Sequence, residues 1–292
     1  MKKIIATGLN GLVGSQVAQL LKEKYEFKNI SRSTGVDITS KEQVLEAMQK
    51  SDGQIVLHLA GKTNVDACEL DKTLGENGEA WKINVDGTKN VAEACLKTEK
   101  KLIYISTDFV FDGEKSSKDG YSENDTPNPI NWYGQTKYEA EKAVSDAGIS
   151  CLIARISYPY RSSFEKNDFA RAMLNRLKQG QKISAVTDHV FCPTFIDDIA
   201  WALEVLIEQS AQGIYHVTGT GSLTPYEAAI AIAKTFDLDE GLVEKTTREV
   251  YFKNGAPRPF YLAMNNAKIK SLGVNMRSFE EGLEELKKQI AK

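Results

Sequence analysis

Apolar positions along the chain follow two alternating rhythms. Lys3–Ile4–Ile5–Ala6–Thr7 is a short apolar run that stops at a glycine, and Val13, Val17, Leu20 and Leu21 then recur at helical spacing. Phe27–Ser31 predicts a second strand. Thr39 with Glu42 three residues on predicts a capping box that opens a helix through Val44, Leu45 and Met48. Ile55–Leu59 reads as a buried strand, and a helix follows from about Ala80 through Val91 to Leu96. Leu102–Ser106 is another buried strand, Tyr133–Ala147 a long helix and Cys151–Ile156 a strand again. Strands that alternate with helices imply right-handed βαβ units and a parallel sheet covered on both faces. The second half is less regular. Ile199, Leu203, Leu206 and Ile207 share a helix face, Gly213–Val217 predicts a strand, and Thr224–Pro225–Tyr226–Glu227 is a capped helix start. Ser278 with Glu281 opens a terminal helix whose Phe279, Leu283, Leu286 and Ile290 share a face, and Pro257–Arg258–Pro259 punctuates an irregular stretch before it.

The run Thr7–Gly8–Leu9–Asn10–Gly11–Leu12–Val13–Gly14 sits where the first strand becomes the first helix. Glycines at 8, 11 and 14 suit a tight turn, close approach of a pyrophosphate and close packing of helix on strand. The helix N-terminus adds free N–H groups for phosphate. Position, rather than the spacing alone, favours dinucleotide binding over a bare turn. After the second strand, Ile30–Ser31–Arg32–Ser33 offers no acid until Asp37; Arg32 between two hydroxyls suits a 2′-phosphate, which favours NADP(H) while NAD(H) stays open. A solvated surface arginine is the plain alternative. The expected architecture is therefore α/β: a Rossmann-type doubly wound parallel sheet with a smaller C-terminal α/β substrate lobe. Residues 1–156 plus about 191–219 would form the NAD(P)-binding domain, and about 157–190 plus 220–292 the substrate-binding lobe.

Tyr133 and Lys137 lie one helical turn apart on one face. A free phenol, with a pKa of about 10, is a poor acid–base group at neutral pH. A neighbouring ammonium favours its ionised form, so Tyr133 is expected to work nearer neutrality and to protonate a carbonyl oxygen. The strand end Ser106–Thr107 lies where ligands bind in such sheets, and its hydroxyls can orient a carbonyl. Turn chemistry is the simpler reading of that hydroxyl pair.

The chain has 292 residues, a net charge of −3 and 41% apolar residues, which suits an ordinary globular protein and offers no basic surplus for nucleic acid. No apolar run is long enough to cross a bilayer. The apolar stretch at the N-terminus stops at Thr7–Gly8, too short for a signal peptide, so a cytoplasmic location is expected. Cys68, Cys95, Cys151 and Cys192 are widely spaced and read as buried free thiols. His58, His189 and His216 form no metal motif; they read as core or surface histidines, with His189 a candidate for the sugar pocket. Asp66 and Asn84 are open between structural and nicotinamide-pocket roles. Trp81, Trp132 and Trp201 are expected to pack.

The glycine loop, Ser106–Gly113 and Pro129–Lys137 resemble the extended short-chain dehydrogenase/reductases, and among them the dTDP-4-dehydrorhamnose reductase family. Its Ser-Thr-Asp-Tyr-Val-Phe-Asp-Gly motif is matched except that Phe109 replaces Tyr. The chain departs from the reductase pattern at Phe260–Asn265, at Tyr158 where tryptophan is common, and before Pro193 where no glycine stands. The resemblance implies a catalytic set of Thr107, Tyr133 and Lys137. It implies cofactor contacts at Gly8, Asn10, Gly11, Leu12, Val13, Arg32, Ala60, Gly61, Lys62, Tyr133 and Lys137. Substrate contacts would come from Val65, Asp108, Tyr158, Asn167, His189 and Arg258, and no metal is implied. The substrate would be a nucleotide-linked 4-keto-6-deoxy sugar, reduced at C4 in dTDP-L-rhamnose synthesis, by a protein that can pair as a homodimer. Two other readings use the same residues: an epimerase or dehydratase that retains and recycles NAD, and a non-catalytic NADP-binding regulatory subunit like that of methionine adenosyltransferase.

Overall fold

A computed structural model describes residues 1–116 and 119–291. The first half runs β1 (Lys2–Thr7), α1 (Leu12–Leu21), β2 (Tyr25–Asn29), α2 (Lys41–Gln49), β3 (Ile55–His58) and α3 (Val65–Leu70). It continues through α4 (Glu79–Trp81), α5 (Gly87–Lys97), β4 (Lys101–Thr107), α6 (Trp132–Ser145) and β5 (Cys151–Ile156). After it come β6 (Pro159–Tyr160), α7 (Phe169–Lys178), β7 (Ile183–Val186), β8 (Thr194–Phe195), α8 (Ile196–Glu208) and β9 (Gly213–His216). The last elements are α9 (Pro225–Thr235), β10 (Val243–Thr246), α10 (Arg248–Tyr251), α11 (Ala267–Lys270) and α12 (Phe279–Ile290).

Six strands make one parallel sheet in the order β2-β1-β3-β4-β5-β9. Its central strands are buried along nearly their whole length, as a parallel sheet with helices on both faces requires. Ile4, Leu57, Ile103, Leu152 and Ala154 pack on one face with α1 and α8; Ile5, Val56, Leu102, Tyr104 and Ile153 pack on the other with α2, α5 and α6. The strand order reverses beside β1, so the carboxyl ends of β1, β3 and β4 open a crevice there. Among the described residues no helix is long and apolar enough to cross a membrane.

A second core stands outside this sheet. β7 pairs in parallel with β10, and α7, α9 and α12 pack Leu174, Leu177, Ile232, Phe279 and Leu283 over the pair. The boxes foreseen at Thr224/Glu227 and Ser278/Glu281 open α9 and α12. Ile269, Val274 and Met276 return to the first core.

Three details differ from expectation. β2 begins and ends two residues earlier than Phe27–Ser31. Ser40, not Thr39, caps α2, because Asp37 claims Thr39 first: its Oδ1 accepts from the Thr39 amide at 2.9 Å and hydroxyl at 2.8 Å, an Asx-type turn. The single helix expected over 80–96 is widened to a π-helix at Lys82–Asp86. The bulge places Asn84, whose side chain bonds the Lys62 amide at 2.7 Å, the Lys62 carbonyl at 3.1 Å and Thr136 at 2.9 Å. Asn84 thereby fixes the end of β3 against α6.

Candidate active site

The crevice between the two cores is a cleft of about 770 Å³. Its floor is the turn from β1 into α1. Gly8 has φ +66, and a Cβ there would stand 2.6 Å from the Ala60 amide nitrogen. A Cβ on Gly14 would meet the Gly8 carbonyl oxygen at 2.6 Å. Both positions therefore exclude any other residue, and the loop brings bare backbone to the cleft. No side chain caps α1, whose first-turn N–H groups face the same space. Uncapped amides at the positive end of a helix suit a pyrophosphate. Gly8, Asn10, Gly11, Leu12 and Val13 all line the cleft, as do Ala60 and Gly61 after β3.

The ends of β4 and α6 form the next wall. Asn131 caps α6, its Oδ1 accepting from the Gly134 amide at 2.8 Å, and this fixes the first turn that carries Tyr133. Gly134 packs so tightly on the Phe109 carbonyl that no side chain fits. Tyr133 is 8% exposed and lines the cleft together with Ser106, Thr107, Asp108 and Lys137. Burial pushes the Tyr133 phenol up, and the Thr107 side chain holds the shift back. Lys137 lies over the Tyr104 ring at 4.1 Å, and its Nζ donates to the Ile105 carbonyl at 2.8 Å. Burial lowers Lys137 to about 7, against the pull of Glu141. The expected lowering of the phenol by the ammonium is thus not what the protein alone produces: desolvation governs both groups. Ser106 Oγ is buried at the cleft with no partner among the described residues, a polar atom fitted to a ligand.

Asp108 sits beside this pair, 1% exposed. Its Oδ1 accepts from the Thr107 hydroxyl at 3.0 Å and its Oδ2 from the Ser157 hydroxyl at 2.6 Å. Burial raises its carboxyl to about 6, and these hydrogen bonds oppose the rise.

The far wall comes from the second core and the segment after α10. Tyr158, in the left-handed region at φ +39, meets His189 Nε2 at 2.9 Å, while His189 Nδ1 lies 2.7 Å from the Pro259 carbonyl. The Pro259 carbonyl can only accept, so Nδ1 carries the proton and the Tyr158 hydroxyl donates to Nε2. Burial holds His189 at about 4. Arg258 lines the cleft with its guanidinium over the Phe252 ring and pairs with Asp66 of α3 at 3.0 Å. Asp66 also accepts from the Ala256 amide at 2.9 Å, and Asn131 Nδ2 donates to the Pro257 carbonyl at 2.9 Å. The strap 255–259 is therefore pinned to α3 and to the cap of α6.

Of the residues named from sequence, Val65, Asp108, Tyr158, His189 and Arg258 meet in the cleft. Three do not. Lys62 turns its ammonium away to Asp71 at 2.8 Å and Glu79 at 2.7 Å, leaving its neighbours Gly61 and Thr63 to line the wall. Asn167 is exposed, its side chain accepting from Asn175, because Asp168 takes the capping place at α7. Arg32 stands outside the lining, its Nε donating to Asp37 at 3.0 Å; Ser31 beside it does face the cleft. Sequence reasoning passed over Arg176, Ser184, Tyr251 and Phe252, which line the second-core side. The aromatic pair before Pro257 was the available signal.

The remaining singled-out residues have plain places. His58 and His216 are buried, and burial lowers both to about 3. Trp81 and Trp132 stack on each other at 5.8 Å, whereas Trp201 is 42% exposed rather than packed. Cys68, Cys95 and Cys192 are buried free thiols, and Cys151 is only half-buried.

The sequence matches the model of the family described as RmlD substrate binding domain over residues 1–292. The dTDP-4-dehydrorhamnose reductase of Aggregatibacter actinomycetemcomitans is 29% identical, over 98% of this chain and 99% of that one. The structure of a dTDP-4-dehydrorhamnose reductase from Bacillus anthracis in complex with NADP is similar at a TM-score of 0.90 and 34% identity, over 99% of this chain and 100% of that one. Methionine adenosyltransferase 2 subunit beta of Mus musculus is 28% identical, over 97% of this chain and 86% of its own length. A glycine-floored cleft with a buried tyrosine–lysine wall, and a family match along the whole chain, agree: the protein belongs to the RmlD substrate binding domain family, within the extended short-chain dehydrogenase/reductases.

Proposed function

We propose that the protein is an NADPH-dependent reductase of dTDP-4-dehydrorhamnose or a close nucleotide-linked 4-keto-6-deoxy sugar. The family is one of NAD(P)H-dependent reductases. The observation that carries the reading is Tyr133 buried in the cleft lined by both the glycine loop and the second core, with Thr107 and Lys137 beside it. NADPH, when bound, would supply the hydride that reduces the C4 carbonyl.

The chain's own residues would do the rest. Gly8, Asn10, Gly11, Leu12 and Val13 would hold the diphosphate, and Ala60 and Gly61 would flank the cofactor. The similarity to a reductase solved with NADP supports NADP(H) over NAD(H), and Arg32, outside the lining but next to Ser31, would have to reach inward to meet a 2′-phosphate. Tyr133 would give its proton to the carbonyl oxygen. A phenol held up by burial keeps that proton until an acceptor of rising basicity is beside it. Lys137 would steady the cofactor's ribose from its place on the Ile105 carbonyl. Val65, Asp108, Tyr158 and His189 would surround the sugar, and Arg258 would bind its diphosphate, for which a guanidinium is geometrically suited. Residues 1–156 plus about 191–219 would serve the cofactor, and 157–190 plus 220–292 the sugar nucleotide. A homodimer and a cytoplasmic location belong to the same proposal.

Purified protein with NADPH and dTDP-4-dehydrorhamnose should consume reduced nicotinamide. Tyr133→Phe should lose roughly 10²–10⁴-fold in turnover, the range for a general acid. Absence of turnover with any keto sugar, despite NADP binding, would contradict the reading. The similarity to the methionine adenosyltransferase subunit favours that second outcome as the runner-up, a non-catalytic NADP-binding partner subunit.

A further inference from the structure

The Thr107 hydroxyl has one hydrogen to give. It accepts from the Phe109 amide at 3.3 Å and lies 3.0 Å from Asp108 Oδ1. An ionised carboxylate can only accept, so beside it Thr107 must spend its hydrogen on Oδ1. Thr107 then turns a lone pair, not a donor, toward the Tyr133 side of the cleft. The other oxygen of Asp108 is fixed by Ser157, whose own oxygen accepts from the Cys192 amide at 3.3 Å. The Ser157 hydrogen is therefore committed to Oδ2, and a proton added to Asp108 belongs on Oδ1, facing Thr107. In that state Oδ1–H donates, and the Thr107 hydrogen is free to swing into the cleft, the arrangement in which the Thr107 side chain lowers the Tyr133 phenol.

We propose that Asp108 is a positioning residue for the reduction. Its protonation state decides whether the Thr107 hydroxyl donates to the oxygen being reduced or is held away from it. This rests on the reductase reading, in which that oxygen stands beside Thr107 and Tyr133.

The surroundings make Asp108 the group that switches. The titratable groups facing it are the phenols of Tyr133 on α6 and Tyr158 after β5, and the Cys192 thiol between β7 and β8. Burial pushes all three up, Cys192 to about 12, so all stay neutral where Asp108, at about 6, changes charge. Lys137 farther along α6 is held at about 7 and makes a separate limb that must be told apart.

Two measurements test this. The first needs no turnover. In ligand-free protein carrying ¹³C-labelled aspartate, the Asp108 carboxyl should titrate near pH 6, and in Ser157→Ala and Thr107→Val at higher pH, because each variant removes a donor to the carboxylate. An Asp108 signal that titrates in the ordinary carboxyl range, or is unmoved by both variants, overturns the proposal. The second is the pH profile of kcat. Wild type should lose turnover as pH rises through the Asp108 limb, by up to on the order of 10²-fold, the effect of one lost oxyanion donor. Thr107→Ser should keep that limb and Ser157→Ala should move it upward. Asp108→Asn, whose amide donates to Thr107 at every pH, should remove the limb and leave that of Lys137. A limb that survives unchanged in Asp108→Asn, or stays in place in Ser157→Ala, also overturns it. If no keto sugar is reduced, the functional reading fails by itself and the carboxyl titration still judges Asp108.

Discussion

Tyr133 and Lys137 show how far desolvation governs the site. Side chains one helical turn apart were expected to share charge, yet burial raises one and lowers the other. Burial lowers that lysine to about 7, so its contribution should vary with pH in the working range. Lys137→Met should reduce turnover and erase the kinetic limb near pH 7, which a pH profile beside wild type will show. Outside the cleft lining, Arg32 is held by Asp37 through Nε. Arg32→Ala should weaken NADPH binding by about tenfold or more, the weight of a charge-assisted hydrogen bond, while NADH affinity stays level. Equal losses for both cofactors, measured by titration, would remove Arg32 from the 2′-phosphate site.

Among the elements, those carrying the glycine loop and the Tyr133 helix were readable because local signals coincide there. The β1–α1 glycines, the apolar β4 run and the periodicity of α6 each point one way. The second-core wall was less legible, since its groups come from short pieces joined by irregular chain. Lys62 is instructive: the family resemblance implied a cofactor contact, but Asp71 and Glu79, in segments with no strong pattern, draw the ammonium off. Asn167 and Asp168 differ only in which one caps α7, a choice that residue preference leaves nearly even. The strap 255–259 depends on Asp66, whose distant pairing no spacing reveals. Asp66→Ala should leave the Ala256 amide without its acceptor and quicken its hydrogen exchange, with little change in melting temperature because Asp66 is half exposed. Gly134→Ala, by contrast, forces a methyl onto the Phe109 carbonyl and should cost about 1–3 kcal/mol of stability in denaturant unfolding.

For the whole molecule, buried histidines set the response to acid. His58 and His216 are lowered to about 3 and His189 to about 4, all from an ordinary 6.5. A histidine lowered by folding adds stability that is present above pH 6.5 and is lost as pH falls through its folded value. Asp108, raised from 3.8 to about 6, acts in the opposite sense: its contribution is present below 3.8 and lost as pH rises through 6. Three histidines outweigh Asp108 and Asp198, the latter also raised by burial, so the melting temperature should fall as pH drops from 6.5 toward 4. Each histidine contributes up to about 1.4 kcal/mol per pH unit. His216→Gln should flatten that fall; an unchanged slope would show that His216 already titrates normally in the folded protein.

The proposed reduction requires Tyr133 to stand where a nicotinamide meets a keto sugar. It is tested most directly by supplying NADPH deuterated at the transferable C4 position together with dTDP-4-dehydrorhamnose, and weighing the product. One deuterium should appear at sugar C4 with wild type and almost none with Tyr133→Phe. Product without deuterium, or equal labelling by the two proteins, would contradict it.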